Sequence, residues 1–232
     1  MKPSAHPHRE KGFSLIELTI SLAVIGLILG TVAIGKDVQR NAAYQRLSSD
    51  FVQGWMIAYD TFVTGTGTVP GDTAAAPTGR VNASAVALCG NNLLNVFLAA
   101  GIRLPEGRAE GSNDRYAYLD SNGNPQEVQV CFQNVSWAEP GATVGTYVSR
   151  SRNVMVLRNL TPSLATMQDA QIDGHADARF GQFREDSQAN AVATTSAQAW
   201  SVDERMAFGS AVATAQNESQ VAVVNALLLM SR

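Results

Sequence analysis

Histidine, cysteine and charge are all scarce in this chain. Of 232 residues three are histidine and two are cysteine, and charged residues make up 16 %. His6 and His8 precede Gly12, which leaves only His175 beyond it. Multi-histidine metal centres are thereby excluded, and no cysteines stand at zinc-finger spacing. No glycine-rich phosphate loop follows a strand-like run and no G-x-S-x-G occurs, so neither of these two motifs points to an enzyme. No cofactor and no metal are expected. Charge is also missing from Phe13 to Gly35, a run that holds one ionisable group, Glu17, and no proline.

What is present is an asymmetry. The opening stretch, MKPSAHPHREKG, carries Lys2, Arg9 and Lys11 against Glu10, a charge of +2; the formal net charge of the whole chain is -3, so the remainder carries -5. A basic stem before an apolar run stays cytoplasmic under the positive-inside rule, which places everything after Gly35 outside the cytoplasm. The two cysteines, Cys89 and Cys131, are both in that exported part. An even count in an oxidising compartment favours a bridge; two buried free thiols are the alternative. The residues after the apolar run, with Ala, Gly, Ser, Thr and Asn prominent, are numerous enough for one domain with its own core.

Three readings compete for the N-terminal segment. A secretory signal peptide would use Thr31-Val32-Ala33 as a small-x-small cleavage site, but its core should avoid an acid such as Glu17. A plain single-pass anchor explains the length, since about 20 apolar residues cross a bilayer, but not the acid. A charged side chain at mid-helix costs roughly 2.5–3.5 kcal/mol on a translocon scale. The order basic stem, Gly12, Phe13, then Glu17 at the fifth position after the glycine, in K-G-F-S-L-I-E-L, resembles the type IV prepilin signal of pilins and type II secretion pseudopilins. The resemblance covers Lys11 to about Gly35. It implies that a prepilin peptidase cuts between Gly12 and Phe13 on the cytoplasmic side, that the new N-terminus is methylated, and that the apolar helix is retained. It also implies that Glu17 is an assembly residue, pairing with the Phe13 ammonium of a neighbouring subunit and fixing axial register. Pairing within one helix, between positions i and i+4, is the simpler alternative. Many major pilins carry a proline near the position of Val32 to Ile34; here there is none, and Gly26, Gly30 and Gly35 are the helix-weakening positions.

After Gly35 the pattern becomes amphipathic. Tyr44, Leu47, Phe51, Trp55, Ala58 and Phe62 recur at spacings of three and four, one stripe of a core-facing helix. One helix from about Ser14 to Val63 is predicted, ended by Gly65-Thr-Gly67. Pro70-Gly71-Asp72 is a turn, and the apolar residues Leu93, Leu94, Val96, Phe97, Leu98 and Ile102 predict a short helix that stops near Gly101. The P-G-D turn with the helix end Leu98 to Gly101 is similar to a subset of larger pilin-like proteins. The acidic loop usual between them is replaced here by R-V-N-A-S, so no ion site is carried over. Tyr116–Leu119 and Val128–Phe132 read as a hairpin. Asp120, Asn122 and Asn124 between them have early calcium-loop spacing without its glycine and distal glutamate, so they read as a plain turn. Asn153–Leu157 is a further strand, and Pro162 opens a helix. Asp169 to Gly181 resembles, with one acid missing, a late acidic turn of the same subset. Ser201-x-x-Glu204 predicts a capping box that starts a helix, and the last apolar run, Gln220 to Met230, fits strand or helix equally. His175, between Asp173 and Asp177, reads as a solvated turn. Arg150, Arg152 and Arg158 read as a solvated strand face, since an acidic exported domain argues against nucleic acid.

The expected fold is α+β and pilin-like: a long N-terminal helix packed on an antiparallel sheet of about four strands. The expected organisation is a leader over 1–12, a transmembrane and assembly half-helix over 13–35, an amphipathic half over 36–63 and an exported globular domain over 64–232. The expected role is structural, not enzymatic: a minor pilin, or alternatively a type II secretion pseudopilin or a tip adhesin. It would sit in the inner membrane before joining the fibre. The expected partners are other pilin or pseudopilin subunits, the prepilin peptidase, the inner-membrane assembly platform and, before assembly, lipid.

Overall fold

The computed structural model describes residues 14–109, 112–207 and 221–231. The chain forms two compact units, Met1–Asn41 and Ala42–Arg232. The fold is α+β, as the residue pattern predicts. Helix α1 covers Leu15–Arg46, a π-helical turn follows over Leu47–Val52, and α2 covers Gln53–Thr66. Gly67, in the left-handed region at φ 76°, closes α2 and donates its N–H to Val63 O. The single helix expected from the sequence is therefore interrupted by a wide turn. That turn buries Leu47, Ser48, Phe51 and Val52 together, and its wider period draws these four onto a narrower arc than an α-helix would.

The second unit is built around that stripe. Tyr44, Leu47, Phe51, Trp55, Tyr59 and Phe62 are buried with Leu93 and Phe97 of α3 (Gly90–Ala99) and with the inner face of the sheet. Trp55 meets Phe97 edge-on at 5.5 Å, Tyr59 stacks on Phe132 at 5.0 Å, and Trp55 Nε1 donates to Asn113 O at 3.2 Å. Such aromatic pairs add about 0.5–1.5 kcal/mol each beyond burial, and the indole N–H is satisfied.

Among the described residues six antiparallel strands make the sheet: β1 Leu88–Cys89, β2 Arg115–Leu119, β3 Pro125–Pro140, β4 Tyr147–Leu160, β5 Phe183–Glu185 and β6 Val224–Leu229. The order is β1-β3-β4-β6-β5, with β2 also on β3. The expected four strands fall short because β1 and β5 are two and three residues long, too short to show a period. The C-terminal apolar run, open between strand and helix, is the interior strand β6, which pairs with both β4 and the edge strand β5. Along β3, Val128, Val130 and Phe132 face the helices, while Cys131 and Trp137 face the other way.

The outer face holds a smaller cluster of Cys131, Trp137, Val154, Val156 and Leu227 with Ala189. Arg184 of β5 lies over the Trp137 ring at 4.1 Å, and its guanidinium donates to Ala138 O and Ala189 O at 2.8 and 3.1 Å. Burial pushes this guanidinium below its ordinary pKa, but the carbonyls and the ring face meet its donors.

The loop after α2 is fixed by two residues of the P-G-D turn. Gly71 sits at φ 76°, and a Cβ there would stand 2.9 Å from Asn82 Cα. Asp72 accepts the N–H groups of Thr73, Thr78 and Gly79 and the Thr78 hydroxyl. Desolvation pushes the Asp72 carboxyl up, but these donors outweigh it and hold it below its usual value. Asn153 of β4 then grips the end of the loop, accepting from Val81 N and donating to Gly79 O. Gly71→Ala is expected to cost at least about 1–3 kcal/mol from backbone strain, with the clash in addition. Gly65→Ala, in helical space with nothing within 4 Å, should instead gain up to about 1 kcal/mol. Thermal unfolding of the two variants side by side checks the pair.

Helix α4, Pro162–Asp173, begins where Pro162 predicts it. Thr161 is its N-cap, accepting from Leu164 N. The capping box expected at Ser201 does not form. Ser201 and Asp203 close a local turn instead, and Glu204 Oε1 accepts Ser163 N at 2.9 Å, capping α4 from 41 residues away. Glu204 does cap a helix, but a different one from that which its local spacing predicts.

Candidate functional site

The residues singled out by the N-terminal pattern fall at the start of α1. Gly12 and Phe13, with the rest of the leader, lie outside the described residues. Ser14 is the first described residue and Glu17 stands in the first turn of α1. Both side chains cap the helix start: Ser14 N–H donates to Glu17 Oε2 at 2.9 Å, and Ile16 N–H reaches Ser14 Oγ at 3.4 Å. A carboxylate in a first turn is also favoured by the helix dipole.

The two hydroxyls that follow are satisfied in the same local way. Thr19 Oγ1 donates to Ile16 O at 2.9 Å and Ser21 Oγ to Glu17 O at 2.7 Å. Every side-chain hydroxyl from Ser14 to Gly30 thus has a partner within its own helix. Around them, Leu15, Ile16, Leu18, Ile20, Leu22, Val24, Ile25, Leu27, Ile28 and Leu29 are all exposed. A helix apolar on every side is suited to lipid or to other helices, not to water. Gly26 and Gly30, one turn apart, would meet nothing if they carried a Cβ. They leave a flat strip on this surface against which no described residue packs.

Among the described residues, no helix is long and apolar enough to cross a membrane. The described apolar side chains run from Leu15 to Gly30, 16 residues that span about 24 Å at 1.5 Å each. The side chains of 31–34, 36 and 37, like Phe13, lie outside the described residues. The expected 13–35 span is therefore described only in part.

The second pair of residues is bridged. Cys89 and Cys131 face each other across β1 and β3 with Cα atoms 4.5 Å apart and form a disulfide. This bridge belongs to the globular unit and is remote in sequence from the N-terminal segment.

Elsewhere the polar clusters resolve into structure. Arg150 and Arg152 both pair with Glu139, and the Arg152 guanidinium holds the Glu139 carboxyl below its ordinary range. Asp120 is consumed by its own turn, accepting from Asn122 N, Asn124 N and Gln126 Nε2. His175 is exposed, and its acidic neighbours are engaged: Asp173 accepts Gln182 N and Phe183 N, Asp177 accepts Arg179 N and Phe180 N. No group of three His, Cys, Asp or Glu side chains able to hold a metal exists among the described residues. A cleft of about 560 Å³ at the π turn is lined by Gln45, Arg46, Ser48, Ser49, Gln53 and Gln171 with Ala42. It gathers amides and hydroxyls but no acid–base pair.

An N-terminal helix with an apolar surface and a capped acid, in a chain whose helical stripe packs on an antiparallel sheet, defines a pilin-like α+β protein. Residues 7–33 match the family model for the prokaryotic N-terminal methylation motif. The chain carries a type IV prepilin-like signal, the mark of structural pilin-type subunits that are cleaved and methylated at the N-terminus. Comparison with curated proteins and with solved structures finds no match.

Proposed function

We propose that this protein is a structural subunit of a type IV pilus or related fibre, of the minor-pilin kind. In this reading it is inserted in the inner membrane with its globular unit outside, cleaved between Gly12 and Phe13, and assembled through its N-terminal helix. The observation that carries the reading is the combination at residues 14–30: apolar side chains on all sides, hydroxyls closed on their own backbone, and one acid. In lipid an unsatisfied polar group costs several kcal/mol, so a segment that must wait there as a monomer needs this internal closure. In the fibre the same helices pack on one another, and the Gly26–Gly30 strip permits close approach. The Phe13 ammonium released by cleavage meets Glu17 of an adjoining subunit, and in a dry bundle each charge relieves the other's desolvation.

Mass spectrometry of the protein recovered from its host tests this directly. A methylated Phe13 at the N-terminus is expected. An N-terminus at Met1, or one following Ala33, overturns it. Glu17→Ala is expected to enter the membrane normally and to lose at least tenfold in fibre incorporation, read by immunoblot of sheared fibres against the membrane fraction. Equal incorporation removes Glu17 from the assembly mechanism.

A further inference from the structure

Among the described residues, the cap at the head of α1 engages one oxygen of Glu17. Oε2 accepts the Ser14 N–H, while Oε1 has no hydrogen-bond partner among the described residues. We propose that Ser14 is a positioning residue for assembly: it ties one Glu17 oxygen to the helix N-terminus and so presents the other to an incoming ammonium. The inference rests on the assembly role given to Glu17 above and names the residue that prepares it.

Three physical points support it. A free glutamate side chain loses rotamer entropy when it is fixed, roughly 1.5–2 kcal/mol. Here the Ser14 N–H has already fixed it, so the arriving cation need not do so. The N–H to carboxylate bond is charge-assisted and strengthens as water is excluded. Ser14 also directly follows the residue whose N-terminal bond is to be cut. Hydrolysis adds water across Gly12–Phe13, the Gly12 carboxylate leaves with the leader, and the Phe13 amine takes a proton. The new cation therefore belongs to the residue directly before the one whose N–H Glu17 already holds. The cap also gives the acid a partner before any cleavage, so the uncut chain tolerates Glu17 without a cation.

The test uses the full-length chain. With the peptidase absent, so that the leader stays on, the ¹⁵N-labelled protein in detergent micelles should show a downfield Ser14 amide proton. Glu17→Gln, which keeps an acceptor, should leave it nearly in place, and Glu17→Ala should move it upfield by several tenths of a ppm. An unmoved Ser14 resonance in Glu17→Ala overturns the inference. With the peptidase present, Ser14→Pro removes the donor and should lower fibre incorporation several-fold per cleaved chain, whereas Ser14→Thr should match the unchanged protein. Incorporation of cleaved Ser14→Pro at the normal level also overturns it, and if Ser14→Pro is not cleaved the micelle result decides. An N-terminus found elsewhere than Phe13 would instead defeat the fibre reading while leaving the micelle result standing.

Discussion

Replacing both cysteines, Cys89→Ala with Cys131→Ala, is expected to cost about 4 kcal/mol in the chain-entropy account of cross-links. The bridge closes a sequence separation of 42 residues that contains α3 and β2. At about 2–4 °C per kcal/mol for a domain of this size, the midpoint should fall by roughly 8–16 °C. Alanine is the right replacement. Cys131 is fully buried beside Trp137, Val154 and Val156, where a serine hydroxyl would add an unsatisfied donor and confuse the measurement. β1 is only two residues long and is held by the bridge and two register pairs, so it should detach first. Thermal unfolding followed by tryptophan fluorescence, with and without reductant, reads the effect. A midpoint shift below about 2 °C, the least that even 1 kcal/mol would produce, would show that sheet pairing alone holds β1.

The second large effect concerns Asp169, and its sign is unusual for a carboxylate. Asp169 in α4 is fully buried. Its Oδ2 accepts Asp177 N and Trp200 Nε1 at 2.6 and 2.5 Å, and its Oδ1 has no hydrogen-bond partner among the described residues. Burial pushes the carboxyl up to about 7; the Trp200 and Asp177 donors oppose this, and the Asp173 carboxylate one helical turn away adds to it. Because the folded chain holds a proton that the unfolded chain releases, the stability contributed by this one group is fullest below about pH 4 and is lost as pH climbs through 7. At 1.36 kcal/mol per pKa unit the loss is on the order of 4 kcal/mol by pH 8. Asp169→Asn keeps an oxygen for Asp177 and Trp200 and offers Asp173 an amide donor where the proton stood. It should therefore flatten the fall between pH 4 and 7 and exceed the unchanged protein in stability at pH 8. A smaller slope of the same sign should remain, because burial also raises Glu185 and Asp186. Denaturant titrations at pH 5 and pH 8 decide: an Asp169→Asn variant that is less stable than the parent at pH 8 refutes the buried-proton account.

Both effects depend on residues whose roles differ in legibility. The cysteines are readable as a pair because only two exist and both follow the apolar run. Asp169 is visible in the sequence only as part of a polar turn. Nothing in D-A-Q-I-D-G tells that the distant Trp200 will cover it. Glu204 teaches the same lesson, since its spacing to Ser201 reads as a local capping box while its carboxylate serves α4. Arg184 carries no signal at all, because its value lies in the Trp137 ring and two carbonyls brought to it by sheet order. The part played by Ser14 has a signal that charge overshadows: Ser-x-x-Glu at a helix start is a capping pattern, but a lone acid in an apolar run reads first as an ion-pair partner.

The order of residues alone determined the features that depend on near neighbours: the apolar helix and its single acid, the turn at Pro70-Gly71-Asp72, the helix start at Pro162, and the stripe from Tyr44 to Phe62. Each follows from rotamers, φ preferences or a helical period acting over a few residues. Only the tertiary structure decided the six-strand order, the placement of the C-terminal run between β4 and β5, and the partners of Glu204, Arg184 and Asp169. Those depend on which strand lies beside which, and a strand of two or three residues carries too little period to announce its neighbour.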